Sequence, residues 1–356
     1  MKTVLPDSLA TTEISARYLV RDCPRFVRAP DGPTVTGHRV VEAIENTRTY
    51  SGAELEMAKV MALPRQVLPG RFYLITRRCT QRMFLLRPDD ETNNAFLYCL
   101  AESARRFEIV VLMMCAMSNH YHSVIYDPDG RYPEFLEHFH KLLARSQNCL
   151  RGRWENMWAS EQTSVVELMT RDAVIDKMVY TATNPVKDGL VDRVHHWPGV
   201  NGTSALITGR TLRATRPRHF FRDSGPMPAA VELTLTIPAS LGPANELIET
   251  FKARVQREEE VMAQERQATG RSVLGRRNVL RQKWQDSPTT FEPRRELHPR
   301  VATRNVWARI EALLRNREFA RAYARARAAW TNGLAAAFPI GTYWLRRFAN
   351  VPIASG

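Results

Sequence analysis

Residues 71–78, RFYLITRR, set a run of β-favouring apolar side chains between arginines and predict a short strand. The stretch DDETNNAFLYCLAESARRF opens with acids, which suit a helix start, and spaces Ala95, Phe96, Cys99, Leu100, Ala104 and Phe107 along one helical face. EIVVLMMCAM then reads as a buried strand, Ser118 and Asn119 as turn formers, and HYHSVIYD as the returning strand. DPDG is a turn, and Pro133 suits the first turn of a helix that buries Phe135, Leu136, Phe139, Leu142 and Leu143. SEQTSVVEL predicts another strand, followed by a helix over about 171–183 with Thr170 as its N-cap. The order β-α-β-β-α-β-α predicts an α+β fold in which an antiparallel sheet carries its helices on one face.

Outside that block the pattern changes. Residues 1–60 lack strong periodicity and contain the Pro- and Gly-rich RAPDGPTVTG, so an extension with disordered stretches is expected there. A core domain is expected over 61–225, and a mainly helical, arginine-rich region over 226–356, with AVELTLTIP as one more strand. Residues 251–330 hold 19 Lys and Arg against 9 Asp and Glu, which is +10 of the chain's net +14. That concentration, with a pI near 10.0, points to a polyanionic partner. The apolar run at 109–117 is too short for a bilayer span and the N-terminus lacks a signal-type apolar core, so a cytoplasmic protein without a membrane partner is expected. Five scattered cysteines without a CxxC argue against a disulfide framework or a zinc finger.

The chemistry starts at CAMSNHYHSVIYDPDG. Side chains alternate along a strand, so His120 and His122 share one face while Asn119 and Tyr121 share the other. Two neighbouring imidazoles can hold one divalent cation and leave positions open for substrate oxygens, although half-buried sheet histidines would give the same spacing. In KMVYTATNPVKDGLV, the residues Val174, Ile175, Met178, Val179 and Ala182 form one helical stripe, and Tyr180 falls roughly 170° from its centre. Asn184 follows at i+4 on the same face as the phenol. Pro185 disfavours helical geometry at Asn184, which predicts a helix end there and leaves Asn184 open to a plain capping role.

MSNHYHSVI followed by YTATNPVKDGLV resembles the single-tyrosine HUH transposases, and among them most closely the REP-associated tyrosine transposases, over roughly residues 65–225. Family members usually carry proline where this chain has Ser118, a change in the turn that leaves both histidines in place. The resemblance implies a ferredoxin-like HUH fold in which His120 and His122, with Asn184 as a further polar ligand, bind Mg²⁺ or Mn²⁺. It also implies that Tyr180 attacks a DNA phosphodiester to leave a 5′-phosphotyrosine, with Lys177 beside it. The implied substrate is a single strand next to a palindromic hairpin, in a bacterial, nucleoid-associated setting. Arg77, Arg78, Arg82, Lys141, Arg145, Arg151, Arg153, Lys177 and Lys187 are the candidate nucleic-acid contacts, although Lys177 would serve equally as a solvated surface lysine, and Trp154 or Trp158 is a candidate for stacking on a base. Insertion-sequence relatives act as homodimers with exchanged tyrosine helices, whereas the palindrome-associated type acts as a monomer, and both states stay open. A second reading is a domesticated hairpin-binding regulator without chemistry. A histidine-triad hydrolase is excluded, because the next alternating position is Val124.

Overall fold

The computed structural model describes residues 64–290 and 299–355. The extension expected over 1–60 therefore lies outside the described residues. Strand β1 (Arg71–Arg78) leads to helix α1 (Asp90–Arg106), the antiparallel pair β2 (Val110–Ala116) and β3 (His120–Asp127), helix α2 (Tyr132–Arg151), strand β4 (Ser164–Leu168) and helix α3 (Arg171–Lys187). The expected strands and helices form in the expected order. Local caps fix the helix starts: Asp89 accepts from Thr92 N at 2.8 Å ahead of α1, and Thr170 accepts from Ala173 N at 3.2 Å ahead of α3.

The sheet order is β2-β3-β1-β4-β7, where β7 (Val301–Ala302) comes from the arginine-rich region. Every pairing is antiparallel except β4 with β7. The fold is thus mixed α and β around a mainly antiparallel sheet. The expectation of helices on one face alone is corrected. On the Tyr121 face, α1 and α2 supply Phe96 and Phe139, whose rings meet Tyr121 edge-on at 5.6 and 5.4 Å. On the other face α3 packs against β2 and β3, and every member of its apolar stripe is buried. Strand β2 explains the two-sided cover, since Val111 through Met117 are all buried and both faces need a layer.

Helix α3 also runs past the expected stop. Pro185 lies inside it, although it cannot donate to the carbonyl one turn back. Neighbouring bonds hold the turn together: Asn201 Nδ2 donates to Ala182 O at 3.0 Å, and Asp188 N to Asn184 O at 3.0 Å. The helix ends instead at Gly189, whose φ of +66° allows Gly189 N to reach Val186 O and Leu190 N to reach Pro185 O.

Beyond α4 (Thr203–Thr208), strands β5 (Leu212–Thr215) and β6 (Ala230–Leu233) make a separate ribbon, so AVELTLTIP supplies a strand only at its start. Helix α5 (Ala244–Thr269) buries Leu247, Phe251, Val255 and Glu259 at four-residue spacing and packs along α3. The buried Glu259 carboxylate accepts from Val194 N at 2.6 Å and from Arg193 at 3.1 Å. After α6 (Arg276–Arg281) come β7, α7 (Val306–Thr331) and α8 (Trp344–Ala349). The region after 226 is therefore attached to the sheet through α5 and β7 rather than standing apart. Among the described residues, no helix is long and apolar enough to cross a membrane.

The Tyr121 face contains a titration device. Tyr121 Oη and His140 Nε2 are 2.6 Å apart, and burial, reinforced by Arg77, pushes the His140 pKa down to about 3. The folded ring stays neutral where the unfolded one, with its ordinary pKa of 6.5, already charges. The unfolded chain then binds more protons, so this contribution to stability is lost as pH falls from about 6.5 toward about 3. His140→Gln is expected to flatten that part of the pH–stability curve in denaturant midpoints. An unchanged acid limb would contradict it.

Candidate active site

The site lies on the sheet face that α3 covers. His120 and His122 point to the same side with ring centroids 4.9 Å apart, and the Tyr180 ring sits 5.1 Å from that of His122. The polar side of α3 is therefore turned to the imidazoles instead of to open solvent. Tyr180 is half-buried there, and Asn184, one turn on, is 4% exposed. The sequence pairing of phenol and amide holds, at a position one turn before the helix end.

Each imidazole is oriented by its Nδ1. Thr76, directly across from His122 in the β1–β3 register, has its hydroxyl 2.8 Å from His122 Nδ1. Where that nitrogen donates to Thr76, the lone pair of His122 lies on Nε2, which is buried without a hydrogen-bond partner among the described residues. Asn119 Oδ1 lies 2.6 Å from His120 Nδ1, and as an acceptor it fixes the hydrogen there and the lone pair on Nε2. Burial is the main cause that holds the His122 pKa well below its ordinary value, with His120, Arg78 and Lys177 adding to it. At neutral pH the ring is an uncharged lone-pair donor.

Asn184 Oδ1 is a second buried acceptor with no hydrogen-bond partner among the described residues. Orphan acceptors of this kind cost about 1–3 kcal/mol each, and coordination to a cation is one way to relieve that cost. The residues present thus fit a divalent ion. Among the described residues no group of three His, Cys, Asp or Glu gathers, so the protein's share would be two imidazoles and an amide, with remaining positions left to water or substrate.

Positive charge surrounds the phenol. Lys177 Nζ lies 5.5 Å and Lys187 Nζ 5.7 Å from the Tyr180 ring centroid, and exposed Arg78 is directly across from His120. The other candidate nucleic-acid contacts separate from this centre. Arg77 points to the Tyr121 face, where its guanidinium donates to Glu161 O and Thr163 Oγ1. Arg151 is spent on Asp89 and Thr92, bracing α2 against the start of α1. Arg153 is 12% exposed and lies over the Trp284 ring. Arg82 donates to Thr290 O. Lys141 and Arg145 are exposed on α2, on the far side of the sheet from the histidines. Folding has already engaged or largely buried the guanidinium groups of Arg77, Arg151 and Arg153. Trp158 is packed, with Nε1 donating to His140 O, while Trp154 is 98% exposed.

Sequence reasoning named Lys187 but missed the three arginines that join it. A cleft of about 450 Å³ opens between α3 and α5 beside Tyr180, lined by Lys187, Arg254, Arg257 and Arg304. Its acids are Asp176 and Glu258. Arg254, Arg257 and Glu258 share one face of α5 by their three- and four-residue spacing, a readable signal, but nothing local to that helix says which neighbour the face meets.

Solved structures with partial similarity include a REP-associated tyrosine transposase bound to a REP hairpin. It aligns at a TM-score of 0.36 and 15% identity over 46% of this chain and 89% of that chain. A Deinococcus radiodurans protein provisionally named a transposase aligns at a TM-score of 0.24 and 17% identity, over 30% of this chain and 85% of that one. No family model matches the chain, and no curated protein does.

Proposed function

We propose that this chain is a metal-dependent single-tyrosine nuclease and strand transferase of the HUH type, which nicks and rejoins single-stranded DNA beside hairpins, as a REP-associated tyrosine transposase would. The observation that carries the reading is the Tyr180 ring lying beside the His120–His122 pair, with His122 Nε2 and, one turn along α3 from the phenol, Asn184 Oδ1 buried without a hydrogen-bond partner among the described residues. The β-α-β-β-α-β run with order β4-β1-β3-β2 supports a ferredoxin-like frame for it.

His120, His122 and Asn184 would hold Mg²⁺ or Mn²⁺. Such an ion, when bound, polarises a phosphate and offsets charge that builds in the transition state. Thr76 and Asn119 keep the imidazole lone pairs aimed by fixing Nδ1. Tyr180 is the nucleophile: its Oη forms a bond to phosphorus as the bond from phosphorus to the 3′ oxygen breaks. The phenol proton passes to solvent and the departing oxygen takes one up, which leaves a 5′-phosphotyrosine and a 3′-OH. Another 3′-OH can reverse the exchange, so strands are joined without a nucleotide cofactor. Lys177 and Lys187 supply the positive charge that a phenolate nucleophile needs nearby.

The test is a labelled hairpin with single-stranded flanks, incubated with the protein and Mg²⁺ or Mn²⁺ and run on a denaturing gel. A covalent adduct is expected, lost with EDTA and restored by excess Mn²⁺. A native gel shift with no adduct under any of these conditions would make the chain a hairpin-binding protein without chemistry.

A further inference from the structure

The cleft between α3 and α5 has more positive charge than its own ion pairs use. Lys187 meets Glu258 at 2.9 Å, while Asp176 is shared by Arg254 at 2.8 Å and Arg304 at 3.0 Å. Four cations thus face two carboxylates across the same space, and a third, Asp172, engages Arg254 from outside it at 3.2 Å, which leaves one cation in excess. Arg257 is exposed at its rim and forms no ion pair among the described residues. Lining cations of this density repel one another unless an anion enters, and the Arg304 side chain, 84% exposed, is held there by Asp176 alone among its ion pairs. The anion would arrive beside the phenol, because the Tyr180 ring forms one wall.

We propose that this cleft is a backbone-binding subsite, in which Arg257 and Arg304 hold a phosphate of the single strand flanking the bond that Tyr180 attacks. The assignment rests on the nuclease reading for its substrate class, and on the charge balance for its place. Size argues in the same direction: about 450 Å³ is on the scale of a small-ligand site and takes one nucleotide unit, not a duplex. Arg254 has a different job. Its guanidinium spans Asp172 and Asp176 and ties α5 to α3, so it builds the wall, while Arg257 and Arg304 face the opening. A strand threaded here would be gripped by α5 on one side of the phenol while the imidazoles line the other.

The experiment measures binding of a short fluorescein-labelled oligothymidylate to the full-length Tyr180→Phe protein by anisotropy over a salt series. Adduct formation is assayed in parallel on proteins that keep the tyrosine. Neutralising the rim, Arg257→Gln with Arg304→Gln, is expected to weaken binding about tenfold or more. The salt slope should flatten by about 0.7 for each phosphate that the variant no longer neutralises. Arg105→Gln, exposed on α1 on the far side of the sheet, should change neither quantity. Unchanged affinity and slope in the rim variant would overturn the subsite, even with adduct formation intact. Inorganic phosphate that competes with the strand in the parent but not in the rim variant supports it. If no protein forms an adduct while binding still depends on the rim, the nuclease reading fails and the subsite stands.

Discussion

Replacing Tyr180 by phenylalanine is expected to lower covalent adduct formation by on the order of 10³-fold or more, while hairpin binding stays within about threefold. The substitution removes one oxygen and leaves the ring, so the edge contact with His122 and the two lysine contacts survive. Stability should move by less than about 1 kcal/mol, which separates lost chemistry from lost folding. An adduct that persists in the phenylalanine variant would sink the assignment and demand another nucleophile. Tyr121 is a poor substitute, since it is fully buried on the opposite face, where its hydroxyl is bonded to His140.

Phe139→Ala is expected to be among the most damaging single changes to the fold, costing about 3–5 kcal/mol. The side chain is completely buried, and its ring meets Phe96 at 5.5 Å, Tyr121 at 5.4 Å and Phe135 at 6.0 Å. Truncation would leave a void between α2 and the sheet that those rings cannot collapse to fill. A stable domain has only about 5–15 kcal/mol in hand, so the loss should show in calorimetry as a fall in Tm on the order of 10 °C. Phe139→Leu keeps most of the volume and should cost distinctly less. Equal melting of the alanine variant and the parent would mean that this aromatic layer does not hold α2 to the sheet.

The parts of this molecule that could be read from the sequence are those set by short-range periodicity. Alternation along β3 places His120 and His122 on one side, and helical spacing places Tyr180 and Asn184 together off the apolar stripe. Caps at Asp89 and Thr170 act within three residues and are equally local. What could not be read depends on partners far along the chain. Pro185 suggests a stop when the helix is viewed alone, yet the helix continues to Lys187, where Asp188 N reaches Asn184 O and Asn201, from a later loop, donates to Ala182 O. Arg77, Arg151 and Arg153 look like free surface cations until Thr163, Asp89 and Trp284 arrive beside them. The same long-range assembly brings Arg257 and Arg304 to the phenol, from a region whose charge was legible but whose place was not.

Strand β7 is only two residues long, yet its position on the outer side of β4 changes what the arginine-rich region is for. An unpaired strand edge is a template for another chain, and here β4 would offer one. The region that carries most of the excess charge thus also serves as a guard rail for the sheet, laying its backbone along β4 while α7 reaches Glu167 through Arg315. Positive charge and resistance to edge-to-edge association are consequently stitched into one stretch of chain, so shortening it to strip away the first also exposes the protein to self-association.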